Sequence, residues 1–108
     1  MFTFATLQAQ VSVWSFENFG LHDGTQPLLG VVEEVGELSH VHLKTLQNIR
    51  NAETTKEARV DAVGDILVYL ADYCFRENIN MQLAVQETWK KVQRRNWKKN
   101  PNDAHLKA

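Results

Sequence analysis

The sequence predicts an all-α protein, an antiparallel four-helix bundle forming a single domain over residues 1–108. Three observations carry that expectation. Apolar residues recur at the three-to-four spacing of a helix face through four long stretches. Breakers are scarce, with five Gly and two Pro in 108 residues, which argues against a turn-rich all-β domain. The punctuation that exists gathers into three short loops, Gly20 to Thr25, Asn48 to Thr55 and Asn78 to Asn80, and short connections make neighbouring helices antiparallel. One short chain builds only a small bundle, so completion by a homo-oligomer is expected, with sites near the interfaces.

The first helix is expected from about Thr3 to Asn18, with Thr3 or Thr6 as cap and Gly20 as stop. Phe4, Leu7, Val11 and Trp14 share one face, although Val11 to Phe16 also reads as a short strand. In the second helix Thr25 is the expected cap and Pro27 sits in the first turn, where its missing N–H costs nothing. That helix continues to about Gln47. Leu28, Val31, Val35, Leu38, His42 and Leu46 form its apolar stripe, and Glu33, Glu34, Glu37, Val41 and Lys44 fall on another face.

The third helix is expected from about Thr55 to Arg76, with Val60, Val63, Ile66, Leu67, Leu70 and Cys74 on a broad apolar face. Asp61, Asp65 and Asp72 lie opposite, within about 40° of one another. Gly64 costs roughly 1 kcal/mol relative to Ala and would permit a close helix crossing or a close ligand. The fourth helix starts after the cap Asn80 and ends near Trp97. Its expected buried stripe is Met81, Ala84, Val85, Thr88, Trp89 and Val92, and residues 103–108 are expected to fray.

Composition narrows the function. The chain is 44% hydrophobic and 23% charged, as a soluble globular protein is. The single cysteine, Cys74, excludes an intrachain disulfide and a Cys-based zinc site, and fits a reducing compartment. No apolar run is long enough for a membrane span and no signal peptide is visible, so a cytoplasmic location is expected. The net charge of −1 hides an uneven distribution. Nine of thirteen acids lie between Glu33 and Glu77, and six of twelve Lys and Arg lie between Lys90 and Lys99. An acidic middle argues against duplex nucleic acid binding and fits a ligand that carries both metal and phosphate.

The acids come in close pairs, Glu34 with Glu37 and Asp61 with Asp65, on successive helices. Like charges three or four residues apart repel. If the two faces meet, desolvation raises the cost, and a divalent cation removes it. Oxygen-only ligands suit a hard ion, Mg²⁺ with Mn²⁺ as substitute. The alternative is a solvated acidic face. A third reading, the Glu-x-x-His spacing of di-iron bundles at Glu37 and His40, has one copy where two are needed.

The run Gly30 to Leu38 (GVVEEVGEL), then Lys44, then Asp61 to Tyr69 (DAVGDILVY), resembles the MazG-like family of all-α nucleoside triphosphate pyrophosphohydrolases. The resemblance spans about Leu21 to Trp97. It implies a helical dimer or tetramer that cleaves a nucleoside triphosphate to monophosphate and pyrophosphate with Mg²⁺, for control or cleansing of the nucleotide pool. It implies Glu34 and Glu37 as metal ligands and Asp65 as the last acid of the second motif. Glu33 corresponds to the acid that precedes the first motif, and Glu33, Glu34 and Glu37 form the catalytic group. The usual second-motif Glu is replaced by Ala62, which leaves Asp61 as the candidate ligand. In the run Trp89 to Trp97 (WKKVQRRNW), Lys91 and Arg95 stand where the family places phosphate contacts, and Lys44 would add to them. Trp14 and His22 are candidates to bind the base, against the alternative that such residues fill core or interface. A rival from another class is a non-catalytic helical interaction module with a degenerate metal site, for which Ala62 is the best support.

Overall fold

The computed structural model describes residues 1–102, the side chain of Glu53 apart. The expected fray of residues 103–108 lies outside the described residues. Four α-helices run in order, α1 (Phe4–Phe19), α2 (Thr25–Gln47), α3 (Lys56–Arg76) and α4 (Met81–Gln93), with a short 3-10 turn at Asn51–Glu53. Among the described residues there is no strand, so Val11 to Phe16 is helical.

Local chemistry explains the helix starts. Thr3 Oγ1 accepts from Thr6 N at 3.1 Å, Thr55 Oγ1 from Ala58 N at 3.2 Å, and Asn80 Oδ1 from Leu83 N at 3.0 Å. Each satisfies an amide that lacks an intrahelical partner. Helix α2 differs from expectation because Thr25 is already its first residue and Gly24 holds the cap position with no side chain to offer. The carboxylate of Asp23 does the work instead, accepting from Thr25 N at 2.9 Å. Hydrogen bonds from the Thr25 amide and then its side chain hold the Asp23 carboxyl below its ordinary pKa. Asn48, at φ 54°, closes the far end of α2. Helix α4 stops at Gln93, four residues short of the expected Trp97.

The helices α2 and α3 pack along most of their length, and α1 crosses α3. Gly24 meets Glu77, Gly30 meets Tyr69, and Glu34 feels the charge of Asp65. Contacts that step forward along α2 step backward along α3, so this pair is antiparallel. At Gly30 a Cβ would stand 2.4 Å from the Tyr69 ring, so the ring lies directly against the backbone of α2. This is the close approach that the sequence suggested for Gly64. An added Cβ at Gly64 would meet nothing within 4 Å.

The small core joins Val11, Ala71, Cys74 and Met81, flanked by Phe4, Leu7, Leu67 and Leu70. Burial raises the pKa of the Cys74 thiol and keeps it protonated. A charged network locks the other end of α1 to α3. Arg76 donates from Nη2 to Ser15 Oγ at 2.7 Å and from Nε to Asp72 Oδ1 at 3.2 Å. Its Nη1 donates to the carbonyls of Gly20 and His22 in the α1–α2 loop. The Arg76 side chain is 1% exposed, so one guanidinium satisfies several groups away from water.

The buried faces differ from those expected. On α2 the buried positions are Pro27 and Val41, while Leu28, Val35, His42 and Leu46 of the expected stripe are exposed. The face carrying Glu34 and Val41 turns to α3 instead. On α3, Val60 and Val63 are exposed and Ala62, Ala71 and Asp72 are buried. On α1, Ser15 is buried where Trp14 was expected. On α4 only Met81 is buried, and the rest of its expected stripe is exposed. The physical reason on α4 is its departure from the other helices. Gln8 fastens its first turn, accepting from Met81 N at 2.9 Å and donating to the Ile79 carbonyl at 2.7 Å, and the remainder projects. The radius of gyration, 17.1 Å, exceeds the roughly 13 Å of a compact chain of this length.

Candidate acidic site between the second and third helices

Antiparallel packing of α2 on α3 places Glu34, Glu37 and His40 opposite Ala58, Asp61, Ala62 and Asp65 around a cavity of about 490 Å³. The two acidic pairs predicted from spacing therefore share one site. Glu34 is half-buried, and Glu37, Asp61 and Asp65 are exposed to the cavity and solvent. Among the described residues none of the four carboxylates takes part in a hydrogen bond or ion pair with a cation. The consequence shows at Glu34. Desolvation first, then the charges of Asp65, Glu33 and Glu37, push its carboxyl above the ordinary 4.5.

Among the described residues no three His, Cys, Asp or Glu side chains converge as a ready ligand set. The carboxylates share a wall yet stand apart, as like charges do without a counter-ion. The donors are chemically suited to a hard divalent ion, being all oxygen and drawn from two rigid helices. Ala62, 5% exposed, sits in the cavity wall where a longer acid would project, and Asp61 beside it reaches the same space.

Glu34 and Asp65 also border a second cavity of about 210 Å³, walled by Trp14, Phe19, Val68, Tyr69 and Asp72. The two cavities thus adjoin along α3. Trp14 and Phe19 meet edge to face at 5.7 Å. Trp14 therefore borders the same cavity as Glu34 and Asp65.

Other expected residues stand elsewhere. His22 borders neither cavity, its Nδ1 bonds to the Asp23 carbonyl, and its Nε2 is buried without a partner among the described residues. Glu33 is exposed beside Glu34 and acts on it only through charge. Lys44 donates to Gln47 Oε1 at 3.0 Å. Lys91 is exposed on α4, and Arg95 lies past the end of that helix with its guanidinium over the Trp97 ring. None of these three cations is among the residues lining either cavity. Phe19 and Tyr69 line the smaller cavity although sequence reasoning gave their side chains no role, and His40, weighed only as the His of a Glu-x-x-His pair, lines the larger one. Spacing offered a signal for two of them, because His40 is one turn beyond Glu37 and Tyr69 one turn beyond Asp65.

No protein-family model, no curated protein and no solved structure matches the chain.

Proposed function

We propose that this chain is a Mg²⁺-dependent nucleoside triphosphate pyrophosphohydrolase of the MazG-like kind. The observation that carries the reading is the cavity faced by Glu34, Glu37, Asp61 and Asp65 with no cation partner among the described residues. Those four side chains would hold the ion. Bound there, Mg²⁺ (or Mn²⁺) neutralises phosphate charge and acidifies water. Water adds across the α–β phosphoanhydride, the bond to the bridging oxygen breaks, and monophosphate and pyrophosphate leave. Glu33 or Glu37 accepts the proton of the attacking water, Glu34 helps fix the ion, and Lys44, Lys91 and Arg95 offset charge on the phosphates. Because Lys91 and Arg95 lie away from the cavity of their own chain, their role requires a homo-oligomer, dimer or tetramer. The exposed stripe of α4, with Val85 and Trp89, and that of α2, with Leu28 and Leu46, would be its interfaces. Among the described residues no helix is long and apolar enough to cross a membrane. A cytoplasmic role in nucleotide-pool control accords with this chemistry.

Pyrophosphate release from a panel of ribo- and deoxynucleoside triphosphates, with Mg²⁺ and with EDTA, tests the reading. Metal-dependent release is expected. Ala62 favours a second reading, a helical interaction module with a degenerate site. A folded oligomer that neither turns over any nucleotide nor gains stability from Mg²⁺ would select it.

A further inference from the structure

One side chain of the larger cavity has no part in the hydrolytic scheme. Beside the four carboxylates of the acidic pairs, the wall holds the apolar Val41, Ala58 and Ala62, and His40. His40 is thus the one lining side chain that can donate a hydrogen bond. An imidazole keeps at least one N–H in either protonation state, so this property does not depend on titration. The residue is half-buried on α2. Among the described residues neither a carboxylate of the wall nor any other group engages its ring in a hydrogen bond.

The packing of the two helices places that donor at one end. Because α2 and α3 are antiparallel, the wall runs from Glu34 and Asp65, through Glu37 and Asp61, to His40 and Ala58. Glu34 and His40 are six residues apart on one helix, about 9 Å along its axis. The Glu34 end opens onto the smaller cavity, where Asp72 adds a further carboxylate. A chain of phosphates laid along the wall therefore meets a carboxylate at every polar position except the last. At that last position α3 also begins, Ala58 being its third residue, and the positive end of the helix dipole favours an anion there.

We infer that His40 holds the pyrophosphate half of the substrate, its ring N–H donating to an oxygen of the terminal phosphates. When water's oxygen bonds to the α-phosphorus, the bond from that phosphorus to the bridging oxygen breaks and its electron pair leaves with pyrophosphate. The departing unit gains negative charge, and a hydrogen bond donated to it strengthens as that charge grows. His40 gives up no proton in this step; it binds and orients. The inference rests on the pyrophosphohydrolase reading for its ligand class and adds a phosphate contact from within the cavity, whose lining includes none of Lys44, Lys91 and Arg95.

Calorimetric titration of the full chain with inorganic pyrophosphate in the presence of Mg²⁺ tests it without any turnover. His40→Ala is expected to weaken pyrophosphate about tenfold, while binding of Mg²⁺ alone and of a nucleoside monophosphate stays unchanged. His40→Gln, which keeps an N–H at the end of the side chain, is expected to recover most of the affinity. Several results would each overturn the assignment: no binding of pyrophosphate to the unaltered protein, full pyrophosphate affinity in a folded His40→Ala, or a His40→Gln no better than His40→Ala. A matching loss of Mg²⁺ affinity would overturn it by making His40 a metal ligand, and an equal loss for the monophosphate would place the contact on the wrong half of the substrate. Triphosphate turnover measured alongside separates the two readings. Pyrophosphate binding that needs His40, without hydrolysis, keeps the contact and removes the enzyme. Hydrolysis with pyrophosphate binding indifferent to His40 keeps the enzyme and removes the contact.

Discussion

The seam between α2 and α3 and the projecting helix α4 arrange polarity in opposite ways. At the seam, carboxylates on both helices turn toward a shared cavity, and Asp72 and Arg76 are buried. On α4, Trp89 is 59% exposed and Val85 39%, while the helix touches the rest mainly through its first turn. An amphipathic helix has two faces, and hydropathy alone does not say which one meets a given neighbour. The seam keeps its acids because they open onto a hydrated cavity or find a guanidinium. Helix α4 keeps its apolar stripe outward because, among the described residues, no other helix lies over it beyond its first turns. The difference is one of neighbours, since the seam has a facing helix and most of α4 has none among the described residues.

That contrast can be broken most forcefully at Arg76. Arg76→Met leaves Asp72 and Ser15 buried without their partner and is expected to cost about 3–5 kcal/mol in a urea melt. A loss near zero would mean that the polar interior is not interlocked. Glu37→Gln comes next, with pyrophosphate release expected to fall roughly a hundredfold while circular dichroism stays unchanged. Undiminished release would take Glu37 out of the site. Gly30→Ala forces the Tyr69 ring off the α2 backbone and is expected to destabilise by about 1–3 kcal/mol. An unaffected melting temperature would show that the ring gives way freely.

A smaller effect is expected from pH. The carboxyl of Glu34 has a raised pKa in the folded chain, so the folded state binds its proton more tightly than the unfolded state does. That contribution to stability is full below the ordinary value of 4.5 and is lost as pH rises through the raised one. Without divalent ions the melting temperature is expected to carry this downward slope, which Glu34→Gln removes and Mg²⁺ flattens. A Glu34→Gln protein with the same slope would place its origin elsewhere. The smallest change in the chain's own stability belongs to Trp89→Glu, about 0.5 kcal/mol or less, since that ring is largely exposed. Its effect is expected in sedimentation instead, as a shift toward monomer, and an unshifted profile would remove this stripe from the interface.

Much of this was legible in the sequence. Helix number, the caps at Thr3 and Asn80 and the three loops follow from local rules that the rest of the molecule does not override. Spacing posed the meeting of Glu34 and Glu37 with Asp61 and Asp65 as a condition beside a solvated acidic face, and in the structure the two pairs line one cavity. The buried faces of α2, α3 and α4 were not legible. Periodicity locates a stripe, whereas burial depends on which neighbour arrives, and α4 finds little of one in this chain. Asp72 reads as part of the acidic face, four residues before the Arg76 that pairs with it, but its burial was not legible because the rest of the network, Ser15, Gly20 and His22 by way of Arg76, is assembled from residues far away in sequence. The Asp23 cap was missed because it acts two residues before the helix, through a turn in place of a cap side chain.

The Arg76 network also sets an order of events. Its partners on α1 and in the following loop lie 54 to 61 residues away, so its bonds close only after α3 has returned across α1. Helix caps and first turns form from neighbours and need no such return. The guanidinium is thus a latch fastened late. Latches of that kind slow the opening of the finished fold more than they speed its making. The lifetime of the folded chain, and with it the time the α1–α2 loop stays docked beside the aromatic cavity, is governed by one side chain that touches neither a carboxylate of the acidic pairs nor an aromatic of the wall.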